Sequence, residues 1–370
     1  MANTFNNIQL IARELLPRLI NNLIMPNLMY RDYSAEFAKE GNTIQVEVPP
    51  VFEGKTFNRA NGVEIQNIAL GTVPVTLDKI ADVTVEMTAE EMVTNVSATR
   101  RAAILDGMAI ALAEKINAEC MALYKDIPYF VGTAGTTPDS LTDFADARKM
   151  LTHHKVPLAG RVAVWDENAD AKFVVLDGLV KVSDAGTATA LRDGEIGRVF
   201  GITNYTTQTV PTHTTGAAGV PAVDLVANYA VGAMSLHVDG LTAAFKVGDL
   251  FTIAGITSTS FVVTSASALS TADQDIGIYP PLPAIVLNDA LITVIASHVA
   301  NMVFNKNAFA FVTRPMQLPS DKSAYFTSYN GIGLRVVEGY DQKYKKNTIS
   351  IDILYGMKTV FPELATIVLG

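Results

Sequence analysis

The sequence is short of charge. Asp, Glu, Lys and Arg make up 18% of its 370 residues, where about a quarter is ordinary for a soluble domain. The shortfall is roughly 26 charged residues over this length, replaced largely by Ala, Val, Thr and Ile. Long apolar runs are missing as well: no charge-free stretch of 18 residues can span a bilayer. Surface that would normally be charged is therefore covered by something other than membrane. The one cysteine, Cys120, excludes an intramolecular disulfide and suits a reducing compartment. Basic clusters are scarce. The largest is Lys343, Lys345 and Lys346, in a chain of net charge −9, which lacks the footprint of a sequence-specific nucleic-acid binder. Residues 1–7 hold no basic segment ahead of an apolar one, so no secretory signal is expected. Apolar content is high, at 49%, and low-complexity tracts are absent, which together exclude disorder. The length allows two or three domains whose cores need no disulfide or metal staples. The expected product is a cytosolic, folded, self-associating protein.

Catalytic motifs are thin. There is no G-x-x-x-x-G-K-[ST], H-E-x-x-H or G-x-S-x-G. Gly194, Gly197 and Gly201 do not match G-x-G-x-x-G and read as turn and packing glycines. His153 and His154 are adjacent, so on a helix they diverge by about 100°. With Asp166, Glu167 and Asp170 nearby they offer a metal or acid–base site, against a solvated helix end where His complements the dipole. His213, His237 and His298 share no ligand spacing, and Cys120 sits on an apolar stripe as a buried hydrophobe. No catalytic, metal or cofactor-binding residue is assigned, and the chain is not expected to be an enzyme.

What is present is a sequence of distinct parts. Ile8, Ile11, Leu15, Leu19 and Leu23 mark a helical stripe interrupted by Pro17, as two short helices or one kinked one. Ile44, Val46 and Val48 alternate as a strand that stops at Pro49-Pro50. Residues 51–74 have weak periodicity, and apolar alternation resumes at Val73, Val75 and Leu77. A mate strand is expected at Val83, Val85 and Met87, which makes the whole an extended hairpin arm. Residues 97–125 carry the strongest helical signal, with Ile104, Met108, Leu112, Ile116, Cys120 and Tyr124 every four residues. Mixed α/β pattern follows from Asp139, with a helix to about His153, a strand at residues 161–165 and a short helix at 168–176. From about Thr212 to Ile285 the composition turns to Thr, Ser, Ala, Gly and Val. Short strands are expected there at 235–238, 250–253, 261–264 and 275–279, as in a small sandwich or barrel. Helical periodicity is expected again at residues 287–304, so the β segment reads as an insertion. Strands at 334–338 and 349–355 and a last apolar strand ending at Leu369 complete the chain.

The arm holds the candidate contact residues. Phe52, Lys55, Phe57, Arg59 and Glu64 combine aromatics with both charge signs and have no evident core face. Aromatics and Arg on a projecting element suit a protein–protein contact, and an ordinary surface loop is the equal alternative.

The order of parts resembles the major capsid (coat) protein of tailed bacteriophages, and local strings sharpen the likeness. Ala190-Leu191-Arg192-Asp193-Gly194-Glu195-Ile196-Gly197-Arg198, Gly201-Ile202 and Val210-Pro211-Thr212-His213 resemble the branch that carries an inserted β-barrel domain. So do Gly248-Asp249-Leu250-Phe251-Thr252-Ile253, residues 305–310 with Thr313-Arg314-Pro315, and Ile353-Leu354-Tyr355-Gly356 with Phe361-Pro362-Glu363-Leu364.

The resemblance implies an α+β fold in eight segments. These are an N-terminal arm at 1–40, an extended loop at 41–87 and a peripheral domain with its long spine helix at 88–154. The axial domain lies at 155–212 and 287–318, interrupted by an inserted small all-β domain at 213–286. Peripheral return strands at 319–358 and a C-terminal axial strand at 359–370 follow. It further implies pentamers and hexamers in an icosahedral shell around double-stranded DNA held without sequence-specific contact. The partners implied are a scaffolding protein or region, a portal at one vertex and an optional decoration protein, with no membrane and no cofactor. The implied location is the virion capsid, after assembly in the host cytoplasm. Some relatives crosslink through a lysine of the extended loop; Lys55 is present, without a partner signature. The alternatives are the shell of a cellular nanocompartment with the same fold and, more remotely, a cytosolic metal-dependent enzyme centred on His153, His154 and Asp166.

Overall fold

The computed structural model describes residues 7–31, 43–48, 54–57, 59, 63, 65, 71–88, 98–180, 194–225, 228–270, 272–319, 323–329 and 331–370. The elements begin with α1 (Asn7–Asn22), α2 (Met25–Leu28), β1 (Thr43–Val48), β2 (Gly71–Thr76), β3 (Lys79–Thr88), α3 (Ala98–Met121) and a 3-10 turn (Ala122–Asp126). Next come β4 (Phe130–Gly132), α4 (Leu141–His153), β5 (Arg161–Trp165), α5 (Glu167–Val174), α6 (Asp177–Val180), β6 (Arg198–Val199), β7 (Ile202–Thr206) and β8 (Thr212–His213). Strands then follow: β9 (Ala218–Val223), β10 (Ser235–Ala243), β11 (Leu250–Ile253), β12 (Ile256–Ala266), β13 (Gln274–Tyr279), β14 (Ile292–Val294) and β15 (His298–Asn305). The chain ends with β16 (Phe309–Arg314), β17 (Ser323–Tyr329), β18 (Ile332–Asp341), β19 (Lys346–Thr359) and β20 (Ala365–Leu369). They fall into two compact units. One holds Met1–Ile20, Arg31–Leu112 and Phe309–Val360; the other holds Asn21–Tyr30, Ala113–Ala308 and Phe361–Gly370.

In the first unit, α1 runs as one helix with Pro17 inside it and buries Ile11, Leu15 and Leu19. Alternation in β19 builds the sheet: Ile349, Ile351, Ile353 and Tyr355 point inward and are buried, while Ser350 lies between them. This strand is paired along both edges. β3 runs along one, with Val85 opposite Ile349 and Val83 opposite Ile351, and β18 and then β16 follow along the other. On the opposite face Arg335 forks onto Asp352, Nε to Oδ1 at 2.9 Å and Nη2 to Oδ2 at 2.7 Å, a bidentate charge-assisted pair. The structure corrects one pairing. β1 takes β2 as its partner, Thr43 opposite Thr76 through Val48 opposite Gly71, and the strand of Val83 and Val85 joins β19 instead. Its apolar residues meet an isoleucine row there, which hides more of them from water than a two-stranded arm can.

The second unit contains two sheets. Strands in the order β4-β20-β15-β5-β7-β6, with β8 also on β15, make one of seven strands. Ser140 and Asp143 form the capping box that starts α4, and Asp166 caps α5. Both helices bury apolar faces (Phe144, Ala147 and Leu151; Ala169 and Phe173) around Trp165 on β5. The indole lies 5.1 Å from Phe144 and 4.8 Å from Phe173, centroid to centroid, and its Nε1–H donates to Asn204 Oδ1 at 2.9 Å. The other sheet has six strands in the order β14-β11-β12-β13-β10-β9, with a core of Val223, Leu236, Phe251, Phe261, Ile276 and Ile278 among others. Its end strands approach at an Ala222–Leu291 bridge.

The helix expected at residues 287–304 is absent, and β14 and β15 stand in its place. β15 lies between β20 and β5 with Ala300, Met302, Val303 and Phe304 all buried. A strand covered on both faces carries a nearly continuous apolar run, which mimics helical spacing. β14 belongs to the six-stranded sheet, so that sheet takes in residues 292–294 beyond the segment ending at 286.

Candidate functional site

The arm is rooted in the first unit by its two strands. Val46, Val75 and Leu77 are buried at its base. Gly356 of β19 makes this seat: a Cβ there would collide with the carbonyl oxygen of Thr76. Beyond the root, every described residue is exposed, including Lys55, Phe57, Arg59, Val63 and Ile65. Phe57 is 63% exposed, Val63 76% and Ile65 88%, which leaves three large apolar side chains in water at the expense of hydrophobic stabilisation. Phe52 and Glu64 lie outside the described residues. Val63 and Ile65 carry the same apolar character as Phe57 and were not singled out from sequence, where they read as isolated hydrophobes in an aperiodic stretch.

A groove of about 610 Å³ lies over the neighbouring strands, lined by Gln317, Leu318, Pro319, Arg335, Val337, Ser350 and Asp352. Its one arginine is committed to Asp352 and to the Gln317 carbonyl oxygen, 2.6 Å from Nη1, so it is not a ready anion site.

The histidine pair falls into structural roles. His153 is exposed in the last turn of α4, and His154 caps that helix with its ring 4.0 Å from the Tyr129 ring. Burial first, and then His153, hold His154 below the ordinary imidazole value, with Glu363 opposing them. Asp166 accepts from Asn168 N–H at 3.2 Å, and its own N–H donates to Asn301 Oδ1 at 2.8 Å. Among the described residues no group of three His, Cys, Asp or Glu side chains is placed to hold a metal ion.

Sequence reasoning missed a buried cluster in the second unit. His213 and His298 face each other across β8 and β15, with ring centroids 5.3 Å apart. Asp249 Oδ1 lies 2.8 Å from His213 Nε2, and Tyr124 Oη lies 2.8 Å from Nδ1. Beside a carboxylate, Nε2 carries the proton and donates, so Nδ1 accepts from the Tyr124 hydroxyl. Burial, reinforced by Asp249, pushes Tyr124 up to about 12. Burial also pushes Asp249 upward, but bonds from His213 and from the Lys246 and Gly216 N–H groups outweigh it and hold the carboxyl below its usual range. Gly248 makes the approach feasible. It sits at φ +98°, and a Cβ there would come within 2.8 Å of Lys125 Cγ. The one signal in the sequence was positional: His213 stands at the start of the segment of altered composition.

No family model matches the sequence, and no curated protein does. The structure is similar to one from Mycobacterium phage Che8, with a TM-score of 0.54 and 17% identity over 94% of this chain and 90% of that one. It is also similar to the capsid structure of the cyanophage P-SCSP1u, with a TM-score of 0.51 and 13% identity over 89% and 84% of the two chains. The fold is that of a phage capsid protein. In the capsid fold expected from sequence, residues 41–87 form an extended loop, and the exposed arm lies within that segment. No described helix is long and apolar enough to cross a membrane.

Proposed function

We propose that this chain is a major capsid protein that assembles as pentamers and hexamers into an icosahedral shell around double-stranded DNA. The observation that carries the reading is the arm, a rooted hairpin with exposed Phe57, Val63 and Ile65 on a capsid fold. Such side chains gain by covering another copy of the chain, with Phe52, Lys55, Phe57, Arg59 and Glu64 as contact residues. Contacts between identical chains must close into rings, and weak contacts repeated many times make a strong assembly. The low charge fraction fits broad uncharged contact areas, and the net charge of −9 fits a wall that holds DNA without gripping it.

On this reading the role is structural and involves no catalysis. Residues 88–154 and 319–358 form the peripheral domain, 155–212 with 287–318 and 359–370 the axial domain, and 213–286 an insertion. A scaffolding protein or region guides assembly in the host cytoplasm, a portal takes one vertex, and the finished location is the virion. Expression with and without the scaffold, followed by sedimentation and negative-stain microscopy, tests this. Closed shells or capsomer rings are expected; stable monomers under both conditions overturn it.

A further inference from the structure

We propose that the neck of the six-stranded β domain is an acid-sensitive latch, closed while His298 is neutral and opened when His298 takes a proton. The chain enters the domain through β8 and leaves it into β15, and His213 and His298 are paired where these strands meet. The rings pack at 5.3 Å with an interplanar angle of 38°. Entering and leaving segments are further tied by Thr215, whose N–H donates to Ser297 Oγ at 3.1 Å and whose hydroxyl donates to the Ile295 carbonyl at 2.8 Å. Asp249, in the turn before β11, sews the domain to its own entry. Its carboxylate accepts from His213 and from the N–H groups of Gly216 at 3.2 Å, Ala217 at 3.4 Å and Lys246 at 2.8 Å.

His298 is the weak member. Its Nδ1–H donates to the Ala296 carbonyl at 2.9 Å, while Nε2 is buried and has no hydrogen-bonding partner among the described residues. A proton on Nε2 would bury a charge with no acceptor beside a second imidazole. The titratable and charged groups around the neck are His213 from β8, Asp249 and Lys246 from the turn before β11, and Tyr124 and the stem of Lys125 from the 3-10 turn. Asp249 is the anion among them and already has four donors. A protonated His298 would therefore find only the attraction of that shared carboxylate and its existing bond to the Ala296 carbonyl, with no acceptor for Nε2. Burial comes first and His213 adds to it; together they outweigh the Ala296 bond and Asp249, which favour the charged ring, and hold His298 below the ordinary imidazole value.

The sign follows. An opened neck binds the proton at the ordinary value of about 6.5, so closure is complete above that pH and weakens below it, by up to about tenfold per pH unit.

Hydrogen exchange of the whole chain at about pH 7.5 and about pH 5.5, corrected for intrinsic rates, reads the latch. Protection of β8 and of β9–β14 is expected to fall in the wild type, by up to about tenfold, and to hold constant in His298→Phe and His298→Gln. Absence of the fall in the wild type overturns the proposal, as does an equal fall in either variant that folds. A wild-type fall shared equally by β5, β7 and β20 also overturns it, because that is general acid unfolding. The wild-type arm alone therefore decides the matter if neither variant folds.

Discussion

The chain reaches the arm and the six-stranded sheet, each within its own unit, through an antiparallel pair of strands, β1–β2 for one and β8–β15 for the other. They treat apolar side chains in opposite ways. The sheet turns Phe251, Phe261, Val263 and Ile278 inward and completes a core of its own. The arm turns Phe57, Val63 and Ile65 into water beyond a buried root. Apolar residues in one case supply folding free energy, and in the other the described ones stay in water. A shortage of charge therefore has two separate sources, and composition alone adds them together.

Perturbing each element separates the two. The largest effect is expected from replacing residues 54–68 with a Gly-Ser linker: assembly is lost, while circular dichroism and the thermal transition stay close to wild type. Loss of the fold would place these residues in a core. Next, Phe251→Ala removes a fully buried ring stacked 5.7 Å from Phe261 and should cost about 3–5 kcal/mol in urea unfolding. Asp249→Ala strands His213 and three backbone N–H groups and should cost about 3 kcal/mol. The paired change Phe57→Ser with Ile65→Ser should leave the stability of the unassembled chain within about 0.5 kcal/mol while slowing assembly measured by light scattering. The smallest effect concerns His237, which Asp275 at 2.7 Å holds above the ordinary imidazole value. Its contribution is complete below about pH 6.5 and is lost as pH rises through the raised value, opposite in sign to His298. His237→Gln should flatten that slight alkaline decline in denaturation midpoint.

Much of this was readable wherever local pattern and tertiary role agree. β19 alternates because one face is buried, and α3 repeats Met108, Leu112, Ile116 and Cys120 because that stripe is buried. The β domain announced itself in part through a turn at Gly248-Asp249, whereas Asp239-Gly240, a turn signal in the sequence, lies inside β10 at a shift of register. Pattern failed where both faces of an element are covered, as in β15, whose apolar run, interrupted only by Asn301 between Val299 and Phe304, shows no strand alternation. It failed again at the neck. His213 and His298 are 85 positions apart and meet only through strand register, and Asp249, legible as a turn residue, gave no local sign of accepting four donors in a buried site. Lys55, Phe57 and Arg59 were read as exposed for a local reason, the absence of periodicity, and the structure places them in solvent.

Trp165 has a practical consequence. It is the only tryptophan in the chain, enclosed by Phe144 and Phe173 with its indole N–H bonded to Asn204. Its emission therefore reports from a single place, the packing of α4 and α5 on the seven-stranded sheet. A fluorescence melt of this protein follows that core alone, while a circular-dichroism melt sums over every strand. The gap between the two curves measures directly whether the chain comes apart in one step or in several.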